Sequence, residues 1–108
     1  QGELLGWVAL GPISSRPVYR GVAELSIYIA NHARQQGLGR RLLADIIQLS
    51  EQQGFWTLQA GIFAENHASL SLHRNLGFRE VGYRERMGQL NGIWRDVILL
   101  ERRCAIDP

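Results

Sequence analysis

Lysine is absent from these 108 residues, so all twelve cations are arginines. Arginine favours carboxylate and phosphate partners because its planar fork donates two parallel hydrogen bonds, although a bias in codon usage gives the same composition. The arginines are scattered, without the basic run and interleaved aromatics of a nucleic-acid groove, so no nucleic-acid partner is expected. No apolar run approaches the roughly 20 residues that a bilayer crossing needs, which points to a protein without a membrane role. The opening "QGELLGWVAL" has neither a basic region nor a small-residue cleavage site, so no secretory signal is read. Cys104 is the single cysteine. It cannot form an internal disulfide and fits a reducing, cytoplasmic setting. Histidines at 32, 67 and 73 lack metal-ligand spacing, and one cysteine cannot build a thiolate zinc site, so no metal is expected. Ser69 and Ser71 stand in a helical pattern with no nucleophile elbow, so hydrolase chemistry has no support. Repeats and low-complexity segments are also missing.

What remains is a net charge of +2, 45% hydrophobic residues and clear periodicity, enough for one modest core over residues 1–108. Residues 4–10 read as a strand and 11–21 as a loop with two prolines and two serines. "VAELSIYI", 22–29, reads as a strand. Its odd positions Ala23, Leu25, Ile27 and Ile29 form one apolar face, and Glu24 and Tyr28 share the other. A helix over 39–53 carries Leu42, Leu43, Ile46, Ile47 and Leu49, with Gly54 as its stop. Residues 55–63 read as a strand, and Asn66 caps a helix over 67–76 that ends at Gly77. Two further strands, 78–87 and 93–102, join around Asn91-Gly92. The order implies an α/β fold with a mixed central sheet flanked by helices. Trp94, near the hairpin tip, either covers the cleft or packs, and packing is the first reading.

Between the second strand and the first helix lies "HARQQGLGRR". The opening turn of a helix leaves backbone N–H groups unpaired and carries partial positive charge, and glycines let a phosphate come close. The dinucleotide fingerprint fails here: Leu42 takes the third glycine's slot, and the next strand offers Gln59 and Ala60 instead of an acid. A Walker A loop fails for want of lysine. Two glycines before a helix are also ordinary turn chemistry.

The loop has company. Arg34-x-x-Gly37-x-Gly39 after a carboxylate-bearing strand, followed by Asn66-x-x-Ser69-x-x-Leu72-His73-x-x-x-Gly77-Phe78, resembles the GCN5-related N-acetyltransferase (GNAT) superfamily. Ser69 stands where that family usually has alanine, and His73 where it usually has tyrosine. "VAELSIYI", "GFWTLQAGIFAENHASLSLHRNLGF" and "GIWRDVILLER" resemble its phosphinothricin and methionine sulfoximine N-acetyltransferase branch.

The resemblance implies a GNAT fold whose N-terminal part, a strand, two helices and a further strand, is missing from this chain. It implies acetyl-CoA as cosubstrate, a small glutamate-like amino acid as acceptor and a homodimer. Backbone groups of Gln35, Gln36, Gly37, Leu38, Gly39 and Arg40, with Arg34 opening the motif, would hold the pyrophosphate. Those of Ile27, Tyr28 and Ile29 would meet pantetheine and the oxyanion. Asn66 would contact the cofactor or simply cap its helix. Arg16 and Tyr19 match substrate-binding positions of the branch. Glu24 is assigned as general base, because only a neutral amine attacks a thioester and an ammonium must first lose a proton. His73 would donate a proton to the departing thiolate or help deprotonate the amine. Tyr28 and Tyr83 are weaker candidates for the acid. The alternatives are another small amine, a peptide N-terminus, or a module that binds acyl-CoA without catalysis.

Overall fold

A computed structural model of the chain describes residues 6–29 and 37–104. Among them run β1 (Gly6–Pro12), a single 3₁₀ turn (Pro17–Tyr19), β2 (Val22–Ile29), α1 (Leu38–Gln52), β3 (Thr57–Phe63), α2 (His67–Asn75), β4 (Arg79–Leu90) and β5 (Ile93–Arg103). The strands form one sheet in the order β1-β2-β3-β5-β4. β2 and β3 run parallel, joined through α1, while the other neighbours are antiparallel, so the mixed sheet expected from the sequence is present.

Strand alternation decides which face is dry. Ala23, Leu25, Leu58, Ala60, Ile62, Ile98 and Leu100 lie on one face and join Leu43 and Ile47 of α1 and Leu70 of α2 in a single buried cluster. Both helices therefore cover the same face. Leu43 and Leu100 are fully buried, each adding about 1.5–3 kcal/mol of hydrophobic stabilisation. On the other face Trp7 and Tyr28 stack at 6.2 Å between ring centroids and stay exposed.

Several expectations need correction. β1 continues through Gly11 and Pro12, which pair with Glu24 and Ala23. Proline is tolerated there because Pro12 is the last residue of β1, which lies at the edge of the sheet among the described residues. Residues 4 and 5 of the expected first strand lie outside the described residues. β3 begins at Thr57 and not at 55, because the N–H groups of Trp56 and Thr57 both donate to the Gly21 carbonyl, at 2.7 and 3.1 Å. A Cβ at residue 21 would stand 2.1 Å from the Trp56 ring, so that junction needs glycine. In α1, Leu49 is exposed and Ser50 is buried in its place, its hydroxyl donating to the Ile47 carbonyl at 2.7 Å. The buried stripe runs 43, 47, 50, at spacings of four and three. Trp94 is 56% exposed, so it does not pack as expected.

Candidate active site

β2 and β3 pair at three positions only: Val22 with Thr57, Ala23 with Leu58 and Glu24 with Gln59. Beyond Glu24 the strands part, and alternate peptide groups of Leu25 to Tyr28 have no ladder partner on β3. A cavity of about 280 Å³ fills the opening. Glu24 to Ile27 of β2 and Ala60 to Phe63 of β3 form two of its walls, and Asn66, Ser69 and His73 the third.

The structure thus brings Glu24 and His73 to one cavity. Glu24 is exposed on the face away from the helices. His73 comes from α2 on the helix side and is 1% exposed. Burial pushes its pKa below the ordinary value, against a smaller upward effect of its bond to the Ser69 carbonyl. The ring is therefore neutral at pH 7. Its Nδ1 lies 2.8 Å from the Ser69 carbonyl oxygen and 3.5 Å from Ser69 Oγ. The Phe78 ring meets it edge-on, with centroids 5.0 Å apart.

At the start of α1, Gly37 adopts φ +78°, left-handed backbone that glycine accepts without a Cβ penalty. It is the N-cap, with no side-chain cap bond and no acid in the first turn. Arg40 and Arg41 stand there instead, the wrong sign for a helix N-terminus unless an anion joins them. α2 shows the ordinary solution: Asn66 Oδ1 accepts the Ser69 N–H at 3.2 Å. Leu38, Gly39 and Arg40 of the expected phosphate loop begin α1, whereas Arg34, Gln35 and Gln36 lie outside the described residues.

Of the residues expected to serve pantetheine, Ile27 lines the cavity, Tyr28 stacks on Trp7, and Ile29 lies beside Gly39. Asn66 caps α2 and also lines the cavity. Arg16 lines a different cavity, of about 340 Å³, with Ser14, Arg20, Ala23 and Phe55. Its guanidinium lies 5.9 Å from the centroid of the exposed Tyr19 ring. Neither Arg16 nor Tyr19 lines the cavity of Glu24. The Tyr83 hydroxyl donates to Asp96 Oδ2. That bond raises the Tyr83 pKa, which makes it a poor proton donor.

Ser26 and Ser69 were missed as lining residues. The signal for Ser26 was its place on the Glu24 face, two residues on, and for Ser69 its place one helical turn before His73. No group of three or more metal-ligating side chains is present among the described residues, and no described helix is long and apolar enough to cross a membrane.

Comparison with known proteins fits this geometry. A family model described as an acetyltransferase (GNAT) domain matches residues 1–99. The chain is 36% identical over 107 residues to an L-methionine sulfoximine/L-methionine sulfone acetyltransferase of Pseudomonas paraeruginosa, covering 99% of this chain and 61% of that protein. The crystal structure of a ribosomal-protein-alanine N-acetyltransferase from Brucella melitensis superposes with a TM-score of 0.89 at 38% identity, over 96% of this chain and 64% of that one. A phosphinothricin acetyltransferase from Sinorhizobium meliloti, solved in complex with acetyl-CoA, gives a TM-score of 0.85 at 31% identity, over 92% and 54%. The chain therefore spans about 60% of the length of such relatives.

Proposed function

From the premise that the chain belongs to the GNAT acetyltransferase family, we propose that it moves acetyl from acetyl-CoA to the α-amine of a small glutamate-like amino acid. Phosphinothricin and methionine sulfoximine are the acceptors named for its relatives. The observation that carries the reading is the gap between β2 and β3, which Glu24 enters from one face of the sheet and His73 from the other.

In this reading the glycine turn at 37–39 receives the diphosphate of coenzyme A, together with Arg40 and the motif residues before it. The pantetheine arm lies along β2, and the thioester sits in the gap. The amine attacks the thioester carbon directly, with both substrates bound. A C–N bond forms, the C–S bond breaks, and coenzyme A leaves as its thiol. Glu24, as general base, accepts a proton from the attacking nitrogen, directly or through a water. Loss of the ammonium's first proton removes a barrier of about 3–4 kcal/mol set by an ammonium pKa of roughly 9–10. Peptide N–H groups of β2 facing the gap stabilise the oxyanion. Arg16 and Tyr19, in the loop before β2, bind the acceptor's acidic groups once it spans from their cavity to Glu24. The enzyme works in the cytoplasm as a homodimer.

Acetyl-CoA, a thiol-detecting dye and methionine sulfoximine provide the test. Thiol release that requires the amino acid supports the reading. Coenzyme A binding with no release under any amine would mark a binding module instead. The likeness to an alanine N-acetyltransferase of a ribosomal protein favours a second reading, a peptide N-terminus as acceptor. Release with an alanine-initial peptide and none with the free amino acid would select it.

A further inference from the structure

Only one edge of the His73 ring is committed to the protein among the described residues. Nδ1 lies 2.8 Å from the carbonyl oxygen of Ser69, and a carbonyl can only accept. Nδ1 therefore carries the hydrogen. Ser69 Oγ, at 3.5 Å, lies beside the same nitrogen. The carbonyl belongs to a turn that is itself fastened, because Asn66 Oδ1 accepts the Ser69 N–H at 3.2 Å. On another side the Phe78 ring abuts the imidazole, and the Phe78 N–H donates to the His73 carbonyl at 3.0 Å. A neutral imidazole with its hydrogen on Nδ1 has a bare lone pair on Nε2.

We infer that His73 is a proton relay of fixed direction: the Asn66–Ser69 turn holds Nδ1–H, so bare Nε2 first takes a proton from the acceptor's ammonium and only then gives one to the departing thiolate. The inference rests on the acetyl-transfer reading and settles the order in which His73 acts within it. The ammonium's N–H bond breaks and Nε2–H forms. The free amine adds to the thioester carbon, and the positively charged nitrogen of the adduct loses its second proton to Glu24. The C–S bond then breaks with its electron pair on sulfur, and Nε2–H gives that sulfur its proton. His73 ends as it began, and one proton leaves through Glu24 to solvent.

The surroundings suit such a relay. Among the described residues, Glu24 from β2 is the other titratable group lining the cavity, and the β3 wall, Ala60 to Phe63, contains none. On α2 itself the exposed Arg74 is paired with Glu80 at 3.3 Å. Arg102 of β5 donates to the Leu76 carbonyl and to Glu51, both at 2.9 Å. An imidazolium formed in the cavity therefore has Glu24 as the acid among the described residues that line it and is short-lived, as a relay requires. Asn66 is a positioning residue in this scheme.

The test reads the ring directly. Protein labelled with ¹⁵N in histidine is studied at pH 7.5 by long-range proton–nitrogen correlation, with the His73 signals assigned by their loss in His73→Gln. The expected result is a protonated Nδ1 and a pyridine-like Nε2. Asn66→Ala should mix the two tautomers and lower kcat more than it raises KM for acetyl-CoA, and Asn66→Asp, which keeps a capping oxygen, should restore both. His73→Gln should lower kcat by about 10²–10⁴-fold. An Nε2–H ring or an imidazolium in a protein that still transfers acetyl would overturn the relay alone. An Nδ1–H ring in a protein that releases no thiol with any amine would overturn the acetyl-transfer reading and the relay with it. An Asn66→Ala ring unchanged in tautomer would remove the positioning role.

Discussion

Glu24 faces Gln59 across the last rung of the β2–β3 ladder, and past that rung the two strands separate. Glu24 thus stands at the apex of the opening and lines its cavity. Glu24→Gln keeps the shape and removes the proton acceptor. Because the side chain is exposed, stability should change by no more than about 0.5 kcal/mol. Acetyl transfer should fall by about 10²–10⁴-fold in kcat, measured by thiol release, with coenzyme A affinity unchanged by calorimetry.

Gly37 offers a test at the other end of the site. Its φ of +78° lies where a β-branched residue is strained, while the space around it is open, so the backbone alone decides the outcome. Gly37→Val should cost about 1–2 kcal/mol and weaken coenzyme A binding by roughly tenfold. Gly37→Asn, which tolerates left-handed backbone, should lose much less. Titration calorimetry with coenzyme A distinguishes the two.

The burial of His73 makes folding depend on pH. Its folded pKa lies below the unfolded value of about 6.5, so the unfolded chain binds the proton more readily. The contribution of this residue to stability is therefore complete above about pH 7.5 and is lost as pH falls through 6.5 toward the lower folded value. Urea midpoints at pH 7.5, 6 and 5 should decline more steeply in the natural protein than in His73→Gln.

Arg102 joins three elements. From β5 it donates to Glu51 near the end of α1 and to the carbonyl of Leu76 after α2, each at 2.9 Å. Arg102→Leu leaves a carbonyl and a carboxylate, both partly buried, without this donor. The expected loss is about 1–3 kcal/mol, read as a lower urea midpoint, with coenzyme A affinity retained.

Much of this arrangement is legible in the residues. The alternation of "VAELSIYI" put Glu24 opposite the core face, and in the structure Ala23 and Leu25 are buried while Glu24 and Tyr28 are exposed. Asn91-Gly92 forms the expected hairpin turn, with φ values of 53° and 77°. Other features depend on contacts that no local pattern records. Where β2 leaves β3 is a matter of register between segments more than thirty residues apart. The irregular pairing of β4 and β5 between Arg84 and Gly88 arises where Asp96 accepts from the Tyr83 hydroxyl and the Arg86 N–H. His73 shows the division most clearly. Its residue type left the tautomer open, and the Ser69 carbonyl beside Nδ1 puts the hydrogen on that nitrogen.

The most direct test is to follow backbone amide signals of ¹⁵N-labelled protein while coenzyme A, and separately pantetheine, is added. Coenzyme A should displace the amides of Leu38, Gly39 and Arg40 together with those of Ser26 and Ile27, and pantetheine should move the second group alone. Shifts confined to other parts of the chain, or the same response to both compounds at the glycine turn, would contradict a diphosphate seat there.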